Sequence, residues 1–151
     1  FDNVQVPHYN YVGDSILGFK SHMGAGSITS NVKSDKTLVH VKGIDPETNE
    51  KFDLETGLKK FGAMLGNHVE VGCNSVLNPG TVIGSNSNVY PLSPVRGFVP
   101  AESIYKTGGV IVKKHAQVVS LYCLAGGFQY EQCGVLVVAC ICNRIQITGD
   151  L

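Results

Sequence analysis

The sequence predicts an all-β protein, a parallel β-helix built of hexapeptide repeats, on three observations. Six hexads run in register from Leu65 to Pro100. Their first position is always aliphatic (Leu65, Val71, Leu77, Ile83, Val89, Val95), and their fifth is small or β-branched (Val69, Ser75, Thr81, Ser87, Ser93, Val99). The same register occurs earlier, in the hexads that begin at Tyr11, Leu17 and Met23, with Ser at the fifth position of all three. A period of six is neither helical nor a simple strand alternation; it gives one short strand and one turn per repeat.

Each position has a physical reason. Three hexads close one triangular coil of about eighteen residues. The aliphatic side chain points into the prism and stacks on its equivalent one coil away. The small fifth side chain also faces inward and leaves room for it. Gly or Asn at the turns tolerates a positive φ. Coils then stack by backbone hydrogen bonds at about 4.8 Å, and stability comes from neighbouring coils, since no coil buries its own core.

Along the chain, residues 1–112 read as the β-helix, interrupted over 33–60. Within the interruption, Thr37–Val41 alternates like an exposed strand, Asp45–Glu50 is rich in turn formers, and Lys51–Gly57 reads as the returning strand. The interruption is therefore expected to be a hairpin loop thrown out of the solenoid, of the kind that lines functional faces. Residues 101–112 read as an exit strand. From Lys113 to Leu151 the six-residue period is lost, and Val135–Cys142 is apolar and β-prone. This tail is either a cap on the solenoid or sequence read out of frame; the simultaneous change in composition and period favours the second. The repeat begins almost at Phe1, so earlier coils and a whole N-terminal domain are expected to be missing.

Composition excludes several function classes. Lys and Arg number 12 against 12 Asp and Glu, so no basic field points to nucleic acid. No apolar run approaches the roughly 20 residues of a membrane-spanning helix, and no signal-peptide pattern is present. Five cysteines without an export signal point to reduced thiols and a cytoplasmic protein. His22, His40 and His68 have no carboxylate or Cys neighbours at ligand spacing, so exposed turn positions are expected and no metal site is assigned.

The hexads resemble the left-handed β-helix superfamily, many of whose members are acyltransferases. The stretch His8-Tyr9-Asn10-Tyr11-Val12-Gly13-Asp14-Ser15, followed by Gly24-Ala25-Gly26-Ser27-Ile28-Thr29-Ser30-Asn31, narrows the resemblance. Over roughly residues 4–106 the chain is similar to the C-terminal domain of the bifunctional N-acetylglucosamine-1-phosphate uridyltransferase/glucosamine-1-phosphate acetyltransferase family. It looks closer still to related sugar-1-phosphate nucleotidyltransferases, the UDP-N-acetylglucosamine pyrophosphorylase-like proteins, that carry the same β-helix.

The resemblance implies roles residue by residue. His8 matches the general base that takes a proton from the sugar amine, a task suited to an imidazole because it titrates near neutral pH. Tyr11 and Asn31 match substrate-binding residues, and Lys36 lies near a Lys that helps bind the sugar phosphate. Ala25 and Cys73 fall at acetyl-CoA-binding positions, Cys73 where the family commonly has Ser. The implied cosubstrate is acetyl-CoA, the acceptor an amino-sugar 1-phosphate and the assembly a homotrimer. Mg2+ would serve only the missing nucleotidyltransferase domain. His22 stands where the family has Asn, and Pro91 replaces an Ala near the coenzyme. On the residues alone, Tyr11 is equally a core-rim residue and Asn31 equally a turn closer, while Asp14 reads as a turn residue. The alternative function is a non-catalytic oligomerisation or regulatory module of a sugar nucleotidyltransferase.

Overall fold

The computed structural model describes residues 1–45 and 47–114. The tail from His115, with Cys123, Cys133, Cys140 and Cys142, lies outside the described residues, as does the question of whether it caps the solenoid. The first block contains β1 (Tyr11–Val12), β2 (Ile16–Leu17), β3 (His22–Met23) and β4 (Ile28–Thr29). The excursion holds β5 (His40–Ile44) and β6 (Lys51–Glu55). The second block holds β7 (Met64–Leu65), β8 (Glu70–Val71), β9 (Val76–Leu77), β10 (Val82–Ile83), β11 (Asn88–Val89), β12 (Pro94–Val95) and β13 (Phe98–Val99). It closes with β14 (Ser103–Tyr105) and β15 (Ile111–Lys113).

These strands form a parallel β-helix. Successive strands fall on three sheets in rotation: β1-β4-β9-β12, then β2-β7-β10-β13, then β3-β8-β11-β14 with β15 at its edge. Within these three sheets all strand pairs are parallel except β14–β15. Gln5 bridges His22 and extends the third sheet by one more turn of chain.

Inside the prism, Leu65, Val71, Leu77, Ile83, Val89 and Val95 are all buried. The fifth-position row, Ser21, Ser27, Val69, Ser75, Thr81, Ser87 and Ser93, is buried beside them. A hydroxyl in a dry interior needs a partner, and turn carbonyls supply it: Ser27 Oγ donates to Gly24 O at 2.7 Å and Ser87 Oγ to Pro100 O at 2.9 Å. Ser21 Oγ is the exception, buried without a hydrogen bond. The fourth position turns each corner with positive φ, at Gly26, Asn74, Gly80 and Asn86 but also at Lys20, His68 and Leu92. The three side chains without amide or glycine character cost about 1–2 kcal/mol each there.

The register departs from the expected hexads twice. Val12, not Tyr11, occupies the inward row, because Val12 aligns with Thr29 and Thr29 with Leu77. The repeat from Val12 to Leu17 is one residue short, and its corner closes at Asp14 with φ 40°. Tyr11 therefore points outward and is 52% exposed. At the other end, Val99 aligns with Ile83 sixteen residues earlier, whereas Ile83 aligns with Leu65 eighteen earlier. Val99 is thus an aliphatic-row residue rather than a fifth-position one. Gly97, at φ 79°, makes the abbreviated corner that removes two residues.

β5 and β6 pair antiparallel, from His40 opposite Glu55 to Ile44 opposite Lys51. Val39 and Val41 are buried at the hairpin's base. The chain there passes so near Gly80 that a Cβ on Gly80 would overlap the His40 carbonyl. The expectation that His22 and His40 sit at turns without carboxylate partners is corrected: both lie on strands. His22 Nδ1 is 2.8 Å from Glu70 Oε2, and His40 Nδ1 is 2.8 Å from Asp53 Oδ1. Both partners come from adjacent strands, a relation that local spacing does not show. His68 does sit at a turn, edge-on to Phe19 with ring centroids 5.6 Å apart.

Candidate active site

Each passage from the third sheet to the first turns the same corner of the prism. The corner segments stack in a column through backbone hydrogen bonds. Gly26 N donates to His8 O at 3.0 Å, Asn74 N to Ala25 O at 2.9 Å, and Leu92 N to Cys73 O at 3.0 Å. His8, Ala25, Cys73 and Pro91 consequently lie along one edge, although 83 residue numbers separate the first from the last.

His8 is held by its backbone. Its N–H donates to Asn10 Oδ1 at 3.1 Å. The Asn10 amide in turn donates to Gly24 O at 2.7 Å and Ser27 Oγ at 3.0 Å, fastening the His8 loop to the coil beneath. The imidazole itself is exposed and makes no hydrogen bond among the described residues. Asn10 is a positioning residue to which the sequence assigned no role.

A second cluster stands at the far end of the first sheet. Tyr11 Oη donates to Asn31 Oδ1 at 3.4 Å, and Asn31 Nδ2 donates to Asp14 Oδ2 at 2.5 Å. Gly13 lies beneath: a Cβ there would stand 2.7 Å from both Asn31 Cγ and Tyr11 Oη. Asp14 is a turn residue that also orients Asn31. No hydrogen bond among the described residues joins the Lys36 side chain to this cluster or to His8. Lys36 is exposed at a turn with φ 55°, and its N–H donates to Lys33 O at 3.0 Å.

Beside the corner column runs an open groove of about 550 Å³, lined in part by His22, Gly24, Glu70, Gly72, Cys73 and Pro91. Coils approach closely here; a Cβ on Gly24 would lie 2.7 Å from Val71 O and 2.8 Å from Cys73 N. Small residues thus keep the groove shallow and backbone-lined. The N–H groups of Ala25 and Cys73 make no hydrogen bond among the described residues; Cys73 lines the groove, and Ala25 follows the lining residue Gly24. Pro91, next in the column, has no N–H to offer. Among the described residues no three His, Cys, Asp or Glu converge as a metal site, and no helix is long and apolar enough to cross a membrane.

No family model matches the chain. Individual relatives do. Over 112 residues it is 35% identical to the "Bifunctional protein GlmU" of Methanococcus aeolicus, covering 74% of this chain and 26% of that protein. Over 104 residues it is 35% identical to the "Bifunctional sugar-1-phosphate nucleotidylyltransferase/acetyltransferase" of Sulfurisphaera tokodaii, covering 68% of this chain and 24% of that one. A "Bifunctional protein GlmU" of Gloeothece citriformis is 31% identical over 99 residues, covering 66% of this chain and 17% of the relative. The chain spans about a quarter of the length of the first two of these relatives.

Proposed function

From its match to the C-terminal domain family of GlmU-type bifunctional proteins, we propose that the chain is an acetyl-CoA-dependent N-acetyltransferase acting on an amino-sugar 1-phosphate. The observation that carries the proposal is the column of His8, Ala25 and Cys73 on one corner beside a groove, with the N–H groups of Ala25 and Cys73 unpaired among the described residues.

Acetyl-CoA supplies an acyl carbon activated as a thioester. Ala25 and Cys73 offer their N–H groups to the coenzyme's amide carbonyls and hold it along the groove. Tyr11 and Asn31 bind the sugar; Asp14 fixes the Asn31 amide so that its Oδ1 faces the Tyr11 hydroxyl. Lys36 contributes charge toward the sugar phosphate from the excursion. His8 Nδ1 or Nε2 takes the proton released as the amine attacks, a contribution of about 10²–10⁴-fold; the rest of the rate comes from positioning. A homotrimer, with sites shared between subunits, is supported by the outward apolar row of Tyr11, Ile28, Val76 and Pro94 on the first sheet. The nucleotidyl transfer in the name of the Sulfurisphaera tokodaii relative is no part of this proposal.

Product mass tests the proposal. Acetyl-CoA is offered with glucosamine 1-phosphate, galactosamine 1-phosphate or unphosphorylated glucosamine. Acetylation of a phosphorylated amino sugar in preference to glucosamine supports it. A folded protein that acetylates none of them contradicts it and leaves the oligomerisation or regulatory role.

A further inference from the structure

A second histidine faces the groove. His22 lies on β3 with its side chain 32% exposed, and its Nδ1 is 2.8 Å from Glu70 Oε2 on the adjacent β8. Its Nε2 has no hydrogen-bond partner among the described residues. Gly24 and Cys73, on the same groove, belong to the coenzyme edge, whereas His8 stands in the loop above Gly26. The two imidazoles therefore differ in setting. His8 is exposed and its ring has no hydrogen bond among the described residues; His22 lines the groove, paired to a carboxylate through Nδ1 and with Nε2 unpaired among the described residues.

We propose that His22, held by Glu70, donates a proton to the departing coenzyme sulfur. The inference rests on the acetyltransferase function proposed above. In the balanced step, the amine nitrogen forms a bond to the acyl carbon and the carbon–sulfur bond breaks. The amine proton passes to His8, and the Nε2 proton of the His22 imidazolium passes to sulfur, so that the coenzyme leaves as a thiol. Solvent then removes the proton from His8 and returns one to His22. Imidazole suits both directions because it exchanges a proton near neutral pH. A carboxylate on Nδ1 fixes the ring's orientation, as in other carboxylate–histidine pairs, which makes Glu70 a positioning residue.

The test is leaving-group dependence. Acetyl transfer to glucosamine 1-phosphate is measured with acetyl-CoA and with S-acetyl-4-nitrothiophenol, whose acidic thiol needs no proton to depart. His22→Asn is expected to lower kcat/KM about 100-fold with acetyl-CoA and less than about threefold with the aryl thioester. Glu70→Gln is expected to show the same donor dependence, about tenfold with acetyl-CoA. His8→Ala loses activity with both donors, because the amine proton must leave in either case. Equal losses with both donors in a folded His22→Asn protein, or no loss with acetyl-CoA, would overturn the proton-donor role alone. No transfer by the unaltered protein from either donor would overturn the acetyltransferase function, and this inference with it.

Discussion

Asn31 donates through Nδ2 to Asp14 Oδ2 at 2.5 Å, and this one hydrogen bond determines what the other end of the amide offers. With Nδ2 committed, Oδ1 faces Tyr11 Oη, 3.4 Å away across Gly13. The pair meets because β1 and β4 are neighbours in the first sheet, with Tyr11 opposite Ile28. The short repeat after Val12 brings Asp14 under the same amide.

Gly13→Ala should disrupt this cluster. The new Cβ would stand 2.7 Å from Asn31 Cγ and Tyr11 Oη, so both side chains must move outward. Misplacement on this scale is expected to lower kcat/KM for acetylation by about tenfold to a hundredfold. Tyr11 is exposed and Asn31 half-buried, so the unfolding midpoint should change little. Steady-state kinetics beside a thermal melt measures both.

Ser21 and Ser27 should respond oppositely to truncation. Both are fully buried in the fifth-position row. Ser27 Oγ donates to Gly24 O at 2.7 Å, whereas Ser21 Oγ has no partner. Ser27→Ala is expected to cost about 1 kcal/mol. Ser21→Ala removes an unsatisfied hydroxyl and should leave stability unchanged or raised. Urea unfolding of the two variants decides it; a clear loss in Ser21→Ala would contradict the prediction.

Leu77→Ala should be costly, since Leu77 is wholly buried on β9 and stacks between Thr29 and Val95. A loss of about 2–5 kcal/mol is expected from the cavity and the lost transfer energy. Denaturant unfolding gives the value.

The hairpin should weaken in acid. Lys42 Nζ, 3.0 Å from Asp53 Oδ2, and then His40, at Oδ1, hold the Asp53 carboxyl below its ordinary value. A carboxyl depressed in the folded state stabilises it above the unfolded value, about 3.9, and that stabilisation disappears as pH falls through the lower folded value. Amide resonances of β5 and β6 should therefore lose protection below about pH 4 in the natural sequence. Asp53→Asn should reduce that dependence, and an unchanged acid profile in this variant would contradict it.

The inward row was legible because Leu65, Val71, Leu77, Ile83 and Val89 recur at the coil's own period. Val12 and Val99 fall in other rows than a count of hexads gives, for one reason. A periodic reading counts residues along the chain, whereas stacking counts coils, and the repeats ending at Leu17 and Val99 are shorter than six. Nothing in Arg96-Gly97 marks a missing pair of residues until Val99 is seen beside Ile83. The His22–Glu70 pair was hidden differently: forty-eight residues and the whole excursion separate strands that lie side by side. Asn10 is not legible in the sequence because its contribution is a set of hydrogen bonds to groups two and fourteen or more residues away, which no residue-type motif encodes.

His8→Ala is the most direct measurement. Acetylation of glucosamine 1-phosphate is followed by product mass, with the unaltered protein and the variant compared at equal concentration and matched thermal stability. A general base at His8 predicts acetylated product from the unaltered protein and a loss of about 10²–10⁴-fold in the variant. A folded variant that acetylates as fast as the unaltered protein would contradict it.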